Sequence, residues 1–107
     1  MSVNMDVRSA AEAMSGSAVG ENVAFAGVST DSRTVATGEL FFALRGDNFD
    51  GHQFIAAARE RGAAAAVVDV VGAEKANSAG LPLIVVSDTR LALGALAAHW
   101  RARFALP

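Results

Sequence analysis

The residues of this chain that could do chemistry are few, and no catalytic constellation stands out among them. The chain has no cysteine, which excludes a thiolate nucleophile and a disulfide framework. Its two histidines, His52 and His99, are far apart in the sequence, and no pair of histidines or carboxylates has metal-site spacing. Ser29 and Ser32 have no obvious base beside them, so no nucleophile triad is specified. The sequence therefore predicts no catalytic residue and no metal ligand.

One segment has the glycine spacing of a P-loop, the residues Gly-Asp-Asn-Phe-Asp-Gly-His-Gln at positions 46–53. A P-loop needs a lysine after its second glycine to reach the terminal phosphates, and then a serine or threonine to hold Mg²⁺. His52 and Gln53 occupy those two positions and supply neither group. We therefore predict that this segment does not bind ATP.

Two polar segments remain as candidate binding sites, and each directly follows a predicted strand. The first covers residues 29–33 and combines three hydroxyl groups with a carboxylate and a guanidinium, and the second covers residues 45–52. Ligands of α/β sheets bind beyond the carboxyl ends of strands, so we expect the two segments to face each other across one cleft. Their polar groups could bond a ribose, a base edge and a diphosphate, and free N–H groups at the next helix favour an anion.

Several of these polar residues also have a purely structural explanation. Asp50 and Gln53 fit an N-cap and the reciprocal position of a capping box. Asp31 could simply turn the chain through its own side chain, and Arg33 could be solvated or ion-paired. His52 is expected to be exposed. These local roles compete with ligand binding, and the sequence alone leaves the choice open.

The elements that position these segments follow from the hydrophobic pattern. We predict three helices, at residues 5–14, after Asp50, and at Thr89–Phe104 behind an Asp88 cap. We predict four strands, at residues 23–30, 40–44, 63–68 and Leu83–Val86, of which 40–44 should be buried on both faces. Residues 45–51 and 72–80 are predicted loops. Phe49 and Phe54 have the spacing of a hydrophobic staple, and Trp100 is expected in the core or at a domain interface.

This order of elements predicts one α/β domain spanning residues 1–107, a small mixed sheet with flanking helices and at least one parallel strand pair. The net charge is −2, with no cluster of lysine or arginine, which argues against nucleic-acid binding. No apolar stretch approaches the roughly 18 residues that a membrane span needs, and no secretory signal is present. We therefore predict no membrane partner and a cytoplasmic location.

A resemblance to a known family takes the interpretation further. Residues 28–55 read Val-Ser-Thr-Asp-Ser-Arg-Thr-Val-Ala-Thr-Gly-Glu-Leu-Phe-Phe-Ala-Leu-Arg-Gly-Asp-Asn-Phe-Asp-Gly-His-Gln-Phe-Ile. This run resembles the N-terminal domain of the Mur ligases, ATP-dependent enzymes that add amino acids to the UDP-N-acetylmuramoyl precursor of peptidoglycan. Residues 61–68 and 86–98 agree, so the resemblance covers most of residues 23–107. Within the family, the pattern is similar to the members that attach D-alanyl-D-alanine to the tripeptide precursor.

The resemblance implies that this domain holds the UDP moiety of a UDP-N-acetylmuramoyl-peptide. It implies substrate contacts from two groups of residues. Those expected at the uracil and ribose are Thr30, Asp31, Ser32 and Arg33. Those expected near the diphosphate are Gly46, Asp47, Asn48, Phe49 and His52. Because the carboxylate of Asp47 would repel phosphate, contact there would come from backbone N–H groups or from Asn48.

The resemblance also implies which functions lie elsewhere. ATP and magnesium would bind a central domain that follows these 107 residues, and a third domain would bind the incoming dipeptide. This chain would then hold no cofactor, pack against the central domain and be inactive alone. Two alternatives stay open: the N-terminal domain of the sibling ligase that adds the third-position diamino acid, and a stand-alone binding or interaction module. A P-loop encoded directly downstream would separate both ligases from the module.

Overall fold

A mixed five-stranded sheet lies at the centre of the molecule, whose computed structural model describes residues 5–46, 49–76 and 80–104. The N-terminal half contains β1 (Met5–Asp6), α1 (Val7–Met14), β2 (Ser17–Val19), β3 (Ala24–Phe25), β4 (Val28–Ser29) and β5 (Leu40–Phe42). The hairpin strands β6 (Arg45–Gly46) and β7 (Phe49–Asp50) come next, then a 3₁₀ helix (Gly51–Phe54). The last elements are α2 (Ile55–Glu60), β8 (Ala65–Asp69), α3 (Val70–Ala76), β9 (Leu83–Val86) and α4 (Thr89–Phe104).

The strands of the central sheet run in the order β2-β9-β8-β5-β4. The pairs β4–β5, β5–β8 and β8–β9 are parallel, and only β2 is antiparallel, at one edge. The predicted α/β class, with its small mixed sheet and a parallel pair, is confirmed. Parallel pairing brings the carboxyl ends of β4, β5, β8 and β9 to the same end of the sheet, so the segments that follow them start there.

Alternate residues of the central strands pack into two separate hydrophobic cores, one on each face of the sheet. Leu40 and Phe42 pack towards α1 and α4, whereas Phe41 and Ala43 pack towards α2 and α3, and all four are fully buried. The side chains of β8 divide in the same way. A strand buried on both faces was predicted from the apolar run at residues 40–44, and the structure confirms it.

Two of the predicted elements near the N-terminus are different in the structure. The first helix begins two residues later than predicted, because Met5 pairs with Phe25 in a small second sheet and Asp6 caps the helix. The Asp6 carboxylate accepts the Ser9 N–H at 2.8 Å. The single strand predicted at residues 23–30 is wrong: the chain bends, and β3 pairs with β1 whereas β4 pairs with β5.

The predicted loops at residues 45–51 and 72–80 also contain regular structure. Residues 45–50 include the antiparallel hairpin β6–β7. Residues 70–76 form α3, whose start is stabilised by the Asp69 carboxylate, an acceptor for the Gly72 N–H at 2.7 Å. Residues 77–79 lie outside the described residues. The predicted bounds of β9 and α4 are confirmed, and Asp88 caps α4 by accepting the N–H groups of Arg90 and Leu91.

The helix after Asp50 starts as a 3₁₀ turn, and this changes which face its residues present. The Asp50 carboxylate accepts the His52 N–H at 3.0 Å, so Asp50 is a cap, although not through the predicted Gln53 position. A 3₁₀ turn has about 3.0 residues per turn, which rotates Phe54 away from the face where Ile55 is buried. Phe54 is 37% exposed, so its ring is only partly covered, and its predicted staple contact with Phe49 stays a prediction. The Phe49 side chain lies outside the described part of the chain.

Trp100 on α4 packs against the core as predicted, with its ring centroid 6.4 Å from that of Phe25. Its indole nitrogen is buried and has no hydrogen-bond partner among the described residues. Within those same residues, no helix is both long and apolar enough to cross a bilayer.

The contrast between two phenylalanines gives a test of this packing. Replacing the fully buried Phe41 with alanine should lower the free energy of unfolding by about 3–5 kcal/mol, because the truncation leaves a cavity in the core. Replacing the partly exposed Phe54 should cost about 1 kcal/mol, since its ring already contacts solvent. Urea unfolding of both variants measures the difference. Equal losses would contradict the burial described for the two rings.

Candidate functional site

One candidate site is an open cleft between residues 30–33 and the outer surface of α2. Its volume is about 910 Å³. This volume is within the range of small-molecule pockets, which is about 300–1,000 Å³. The residues that line it are Thr30, Asp31, Ser32, Arg33, Phe54, Ala57, Glu60 and Arg61. We call this space the α2 cleft.

The turn at the mouth of the α2 cleft is shaped by the Asp31 carboxylate. Its Oδ1 accepts the Arg33 backbone N–H at 2.8 Å, and its Oδ2 accepts from the Arg33 guanidinium at 2.9 Å. The side-chain hydrogen bond from Arg33 is the main cause that lowers the pKa of Asp31 to about 2. Asp31 is therefore charged at neutral pH, and the structural roles considered for Asp31 and Arg33 are both present.

Ser32 is the residue of this turn whose polar group is best placed for a ligand. The residue is only 9% exposed and lines the α2 cleft. Its hydroxyl has no hydrogen-bond partner among the residues that the structure describes, whereas the neighbouring Ser29 hydroxyl is bonded to Asp31. A recessed hydroxyl without a protein partner favours a hydrogen bond to a bound molecule. The Arg33 side chain is 86% exposed and could turn towards the same molecule.

The opposite wall of the α2 cleft was not identified from the sequence. Phe54 and Ala57 present apolar surface, and Glu60 and Arg61 add one charge of each sign. The Arg61 guanidinium donates to the Val35 carbonyl at 3.4 Å, which holds it close to the turn. The signal that could have revealed this wall is the spacing of Phe54, Ala57 and Arg61, which repeats at helical intervals. Phe54 was instead interpreted as a residue of the hydrophobic staple.

The second polar segment forms the β6–β7 hairpin, and Arg45 fixes the base of that hairpin. Its guanidinium donates to Asp50 at 2.9 Å and to the two oxygens of Asp69 at 2.5 and 3.1 Å. Its carbonyl accepts two hydrogen bonds from the Arg90 guanidinium, at 3.0 and 3.2 Å. The hairpin is therefore attached to the end of β8 and to the start of α4.

His52 was expected to be exposed, and this expectation is wrong. Only 2% of its side chain is accessible, because the ring lies between Asp50 and the end of β8. Its Nδ1 is 2.6 Å from the Asp50 carboxylate, and its Nε2 accepts the Asp69 backbone N–H at 3.1 Å. The partner at Asp69 is 17 residues away in sequence, so the local pattern carried no sign of this burial.

The predicted binding residues divide between two places. Thr30, Asp31, Ser32 and Arg33 come together at the α2 cleft. The described residues of the second segment do not line that cleft. Instead, a smaller cavity of about 200 Å³ lies beside the hairpin base, lined by Arg45, Asp69, Ser87, Asp88, Thr89 and Arg90. The predicted facing of the two segments across one cleft is therefore not seen among the described residues. The two segments nevertheless follow neighbouring parallel strands and start at the same end of the sheet.

The remaining predicted residues of the second segment have little or no described environment. Gly46 is exposed on β6 and pairs with Phe49, whose side chain is not described. Asp47 and Asn48 lie outside the described residues, so their predicted contact with a ligand stays a prediction. No group of three or more histidine or acidic side chains that could hold a metal ion occurs within residues 5–46, 49–76 and 80–104.

Comparisons with known proteins identify what this chain is similar to. A family model described as "Mur ligase family, catalytic domain" matches residues 24–101. A UDP-N-acetylmuramoyl-tripeptide--D-alanyl-D-alanine ligase of Synechocystis sp. is 40% identical over 89 residues, which is 81% of this chain and 19% of that protein. A UDP-N-acetylmuramoyl-L-alanyl-D-glutamate--2,6-diaminopimelate ligase of Aquifex aeolicus is 50% identical over 68 residues, which is 64% of this chain and 13% of that protein.

The solved structures agree with the sequence comparisons. The crystal structure of MurF from Acinetobacter baumannii superposes with a TM-score of 0.82 at 32% sequence identity. The match covers 97% of this chain and 22% of that protein. The chain thus spans less than a quarter of the length of each of these relatives.

The ion pair between Arg45 and Asp69 predicts a specific acid sensitivity. The Arg45 guanidinium is the main cause that lowers the pKa of Asp69 from its ordinary 3.8 to about 2. Because the folded carboxyl has the lower pKa, its stabilising effect is complete above pH 3.8 and is lost as the pH falls through about 2. Its size is at most about 2 kcal/mol.

Urea unfolding between about pH 5 and about pH 2 tests this effect. The unfolding free energy of the wild-type chain should fall more steeply than that of an Asp69→Asn variant, whose side chain does not titrate. Parallel pH profiles for the two chains would show that the Asp69 carboxylate is not stabilised as described.

Proposed function

Because this chain belongs to the Mur ligase family, we propose that it is an N-terminal domain binding the UDP portion of a UDP-N-acetylmuramoyl-tripeptide. The full ligase would use ATP to add D-alanyl-D-alanine to that substrate in peptidoglycan synthesis. The name of the Synechocystis relative supports this substrate and this incoming dipeptide. The high coverage of this chain by the Acinetobacter structure supports the assignment as one domain of a larger enzyme.

The observation that carries the proposal is the α2 cleft with the recessed Ser32 hydroxyl. The cleft has room for a nucleoside, and its two sides differ in a way that suits one. The ring of Phe54 and the methyl group of Ala57 offer an apolar surface for the flat uracil base. The hydroxyls of Thr30 and Ser32 stand on the other side as hydrogen-bond partners for base or ribose.

Charge supports the orientation in which the phosphates leave the cleft towards solvent and the hairpin. The Arg33 side chain is 86% exposed, so it could follow a diphosphate at the mouth of the cleft. At the hairpin, the acidic Asp47 disfavours a side-chain contact with phosphate. We therefore assign the second contact to backbone N–H groups of Gly46 and Phe49 and to Asn48. We assign no direct ligand contact to His52, because its ring is buried behind the hairpin and both of its nitrogens are bonded within the protein.

The bond-forming chemistry belongs to other parts of the parent ligase in this proposal. ATP and magnesium would bind the central domain, against which this domain packs, and the cytoplasm is the proposed location. Residues 46–53 lack the lysine of a P-loop. The role of this chain is to bind and orient the nucleotide end of the substrate, which lowers the entropic cost of reaction at the distant peptide end.

The sibling ligase that adds the diamino acid is the second candidate. The specific observation in its favour is the 50% identity with the Aquifex 2,6-diaminopimelate ligase. Both candidates would bind the UDP end of a UDP-N-acetylmuramoyl substrate, so the α2 cleft does not separate them. An assay of the full-length parent with D-alanyl-D-alanine and with the diamino acid separates the two candidates. Only one of these two substrates should support release of phosphate from ATP.

Titration of UDP into the isotope-labelled chain tests the proposed site. The largest backbone amide shifts should occur at Thr30 to Arg33 and at Gly46 and Phe49, because the ligand contacts or orders these residues. The Ser32→Ala variant should lose most of the response, and so should Asn48→Ala. The matched control is Ser17→Ala, at an exposed serine of edge strand β2. Shifts confined to the α4 surface, or none at millimolar UDP, would refute the proposed location.

A second test concerns the absence of chemistry in the chain by itself. We expect no magnesium-dependent hydrolysis of ATP by the purified 107-residue chain, because residues 46–53 cannot bind the terminal phosphates. A coupled assay of phosphate release measures this, with the full-length parent ligase and its substrates as the positive control. ATP hydrolysis by the purified chain that disappears in a His52→Ala variant would show that residues 46–53 do act as a P-loop.

A further inference from the structure

The buried imidazole of His52 and the groups around it have no assigned part in UDP binding. The ring connects three segments that are separate in sequence. Asp50 at the end of β7 contacts Nδ1, and the backbone N–H of Asp69 at the end of β8 contacts Nε2. Gly72 in α3 lies against the ring, and a Cβ atom added there would be 2.0 Å from the His52 Cδ2. The ring is thus held from three sides with no space in which to shift.

The hydrogen bonds define the form of the imidazole. Nε2 accepts a hydrogen bond from a backbone N–H, so it must carry a lone pair. The proton is therefore on Nδ1, where it donates to the Asp50 carboxylate at 2.6 Å. Asp50 and Asp69 are each also bonded to the Arg45 guanidinium. Both ring nitrogens of His52 are satisfied, and the two acids share one cation.

These hydrogen bonds fix the base of the hairpin and therefore the positions of its two strands, β6 and β7. Asp50 is the last residue of β7, and its partner across the hairpin is Arg45. The next pair is Gly46 with Phe49, the two residues whose backbone we assign to the diphosphate. A movement of His52 or Asp50 relative to β8 would therefore displace both backbone groups together. Such groups lose much of their effect when displaced by about 1 Å.

We infer that His52 is a positioning residue, which binds no ligand itself but holds the backbone of Gly46 and Phe49 in register with the end of β8. The inference rests on the proposed function, because it needs the diphosphate to contact the hairpin. It predicts that the hydrogen bond from the Asp69 N–H to Nε2 contributes more to UDP affinity than the bond from Nδ1 to Asp50. Of these two bonds of His52, only the first connects the hairpin to the sheet.

Two isosteric substitutions separate these bonds. In His52→Gln, the side-chain oxygen can replace Nε2 as the acceptor for the Asp69 N–H. In His52→Asn, the amide N–H can replace Nδ1 as the donor to Asp50, but nothing reaches Asp69. We expect His52→Asn to weaken UDP binding about fivefold, the effect of one hydrogen bond. His52→Gln should bind UDP within about twofold of the wild-type chain.

Comparison of UDP with uridine separates positioning from general damage to the fold. Uridine lacks the diphosphate, so it should use residues 30–33 and not the hairpin. The His52→Asn variant should therefore bind uridine as the wild-type chain does while it binds UDP more weakly. Affinities come from amide-shift titrations of each chain with each ligand. Equal weakening of both ligands, or UDP binding unchanged in His52→Asn, would overturn the inference.

Two further measurements keep the test decisive. If His52→Asn does not fold, the Gly72→Ala variant replaces it, because the added Cβ would lie 2.0 Å from the His52 Cδ2 and displace the ring from the Asp69 N–H. It should show the same selective loss of UDP affinity, and wild-type binding of both ligands would overturn the inference. Failure of the wild-type chain to bind UDP at residues 30–33 would instead refute the proposed function, which is thereby distinguished from a failure of the inference alone.

Discussion

Burial of the central strands on both faces is the constraint on which the rest of this structure depends. Leu40, Phe41 and Phe42 are each fully buried, with alternate residues in opposite cores. The helices that cover the two faces leave no room there for a polar ligand. Polar side chains are therefore concentrated where the parallel strands end, and the candidate site lies in the segments that follow them.

The two segments at that end of the sheet, the β6–β7 hairpin and the turn at residues 30–33, differ in how firmly they are held. The hairpin base is bonded through Arg45 and His52 to the end of β8, with buried or partly buried partners. The turn at residues 30–33 holds its shape through the local Asp31–Arg33 pair, which is exposed. An exposed pair contributes little stability, so this turn can adapt to a ligand whereas the hairpin presents a fixed backbone. This combination suits a flexible molecule with a rigid base and a charged tail.

The sequence predicted what depends on local pattern and missed what depends on distant partners. The continuous apolar run gave the doubly buried strand, and the apolar face behind Asp88 gave α4 with its correct bounds. The hairpin and the burial of His52 could not be seen, because the bonds that explain them come from Asp69 and Arg90, both far along the chain. The partial exposure of Phe54 was also missed, because the first turn after Asp50 is 3₁₀ and not α-helical.

The central claim is that the uracil ring lies in the α2 cleft against Phe54 and Ala57. Intermolecular nuclear Overhauser effects from the uracil H5 and H6 protons of bound UDP test it most directly, in a chain with labelled methyl groups and rings. The account predicts contacts to the Ala57 methyl group and the Phe54 ring, and none to the exposed methyl groups of Val70 and Val71 beyond the end of β8. Contacts to those valines with none at Ala57 would contradict it.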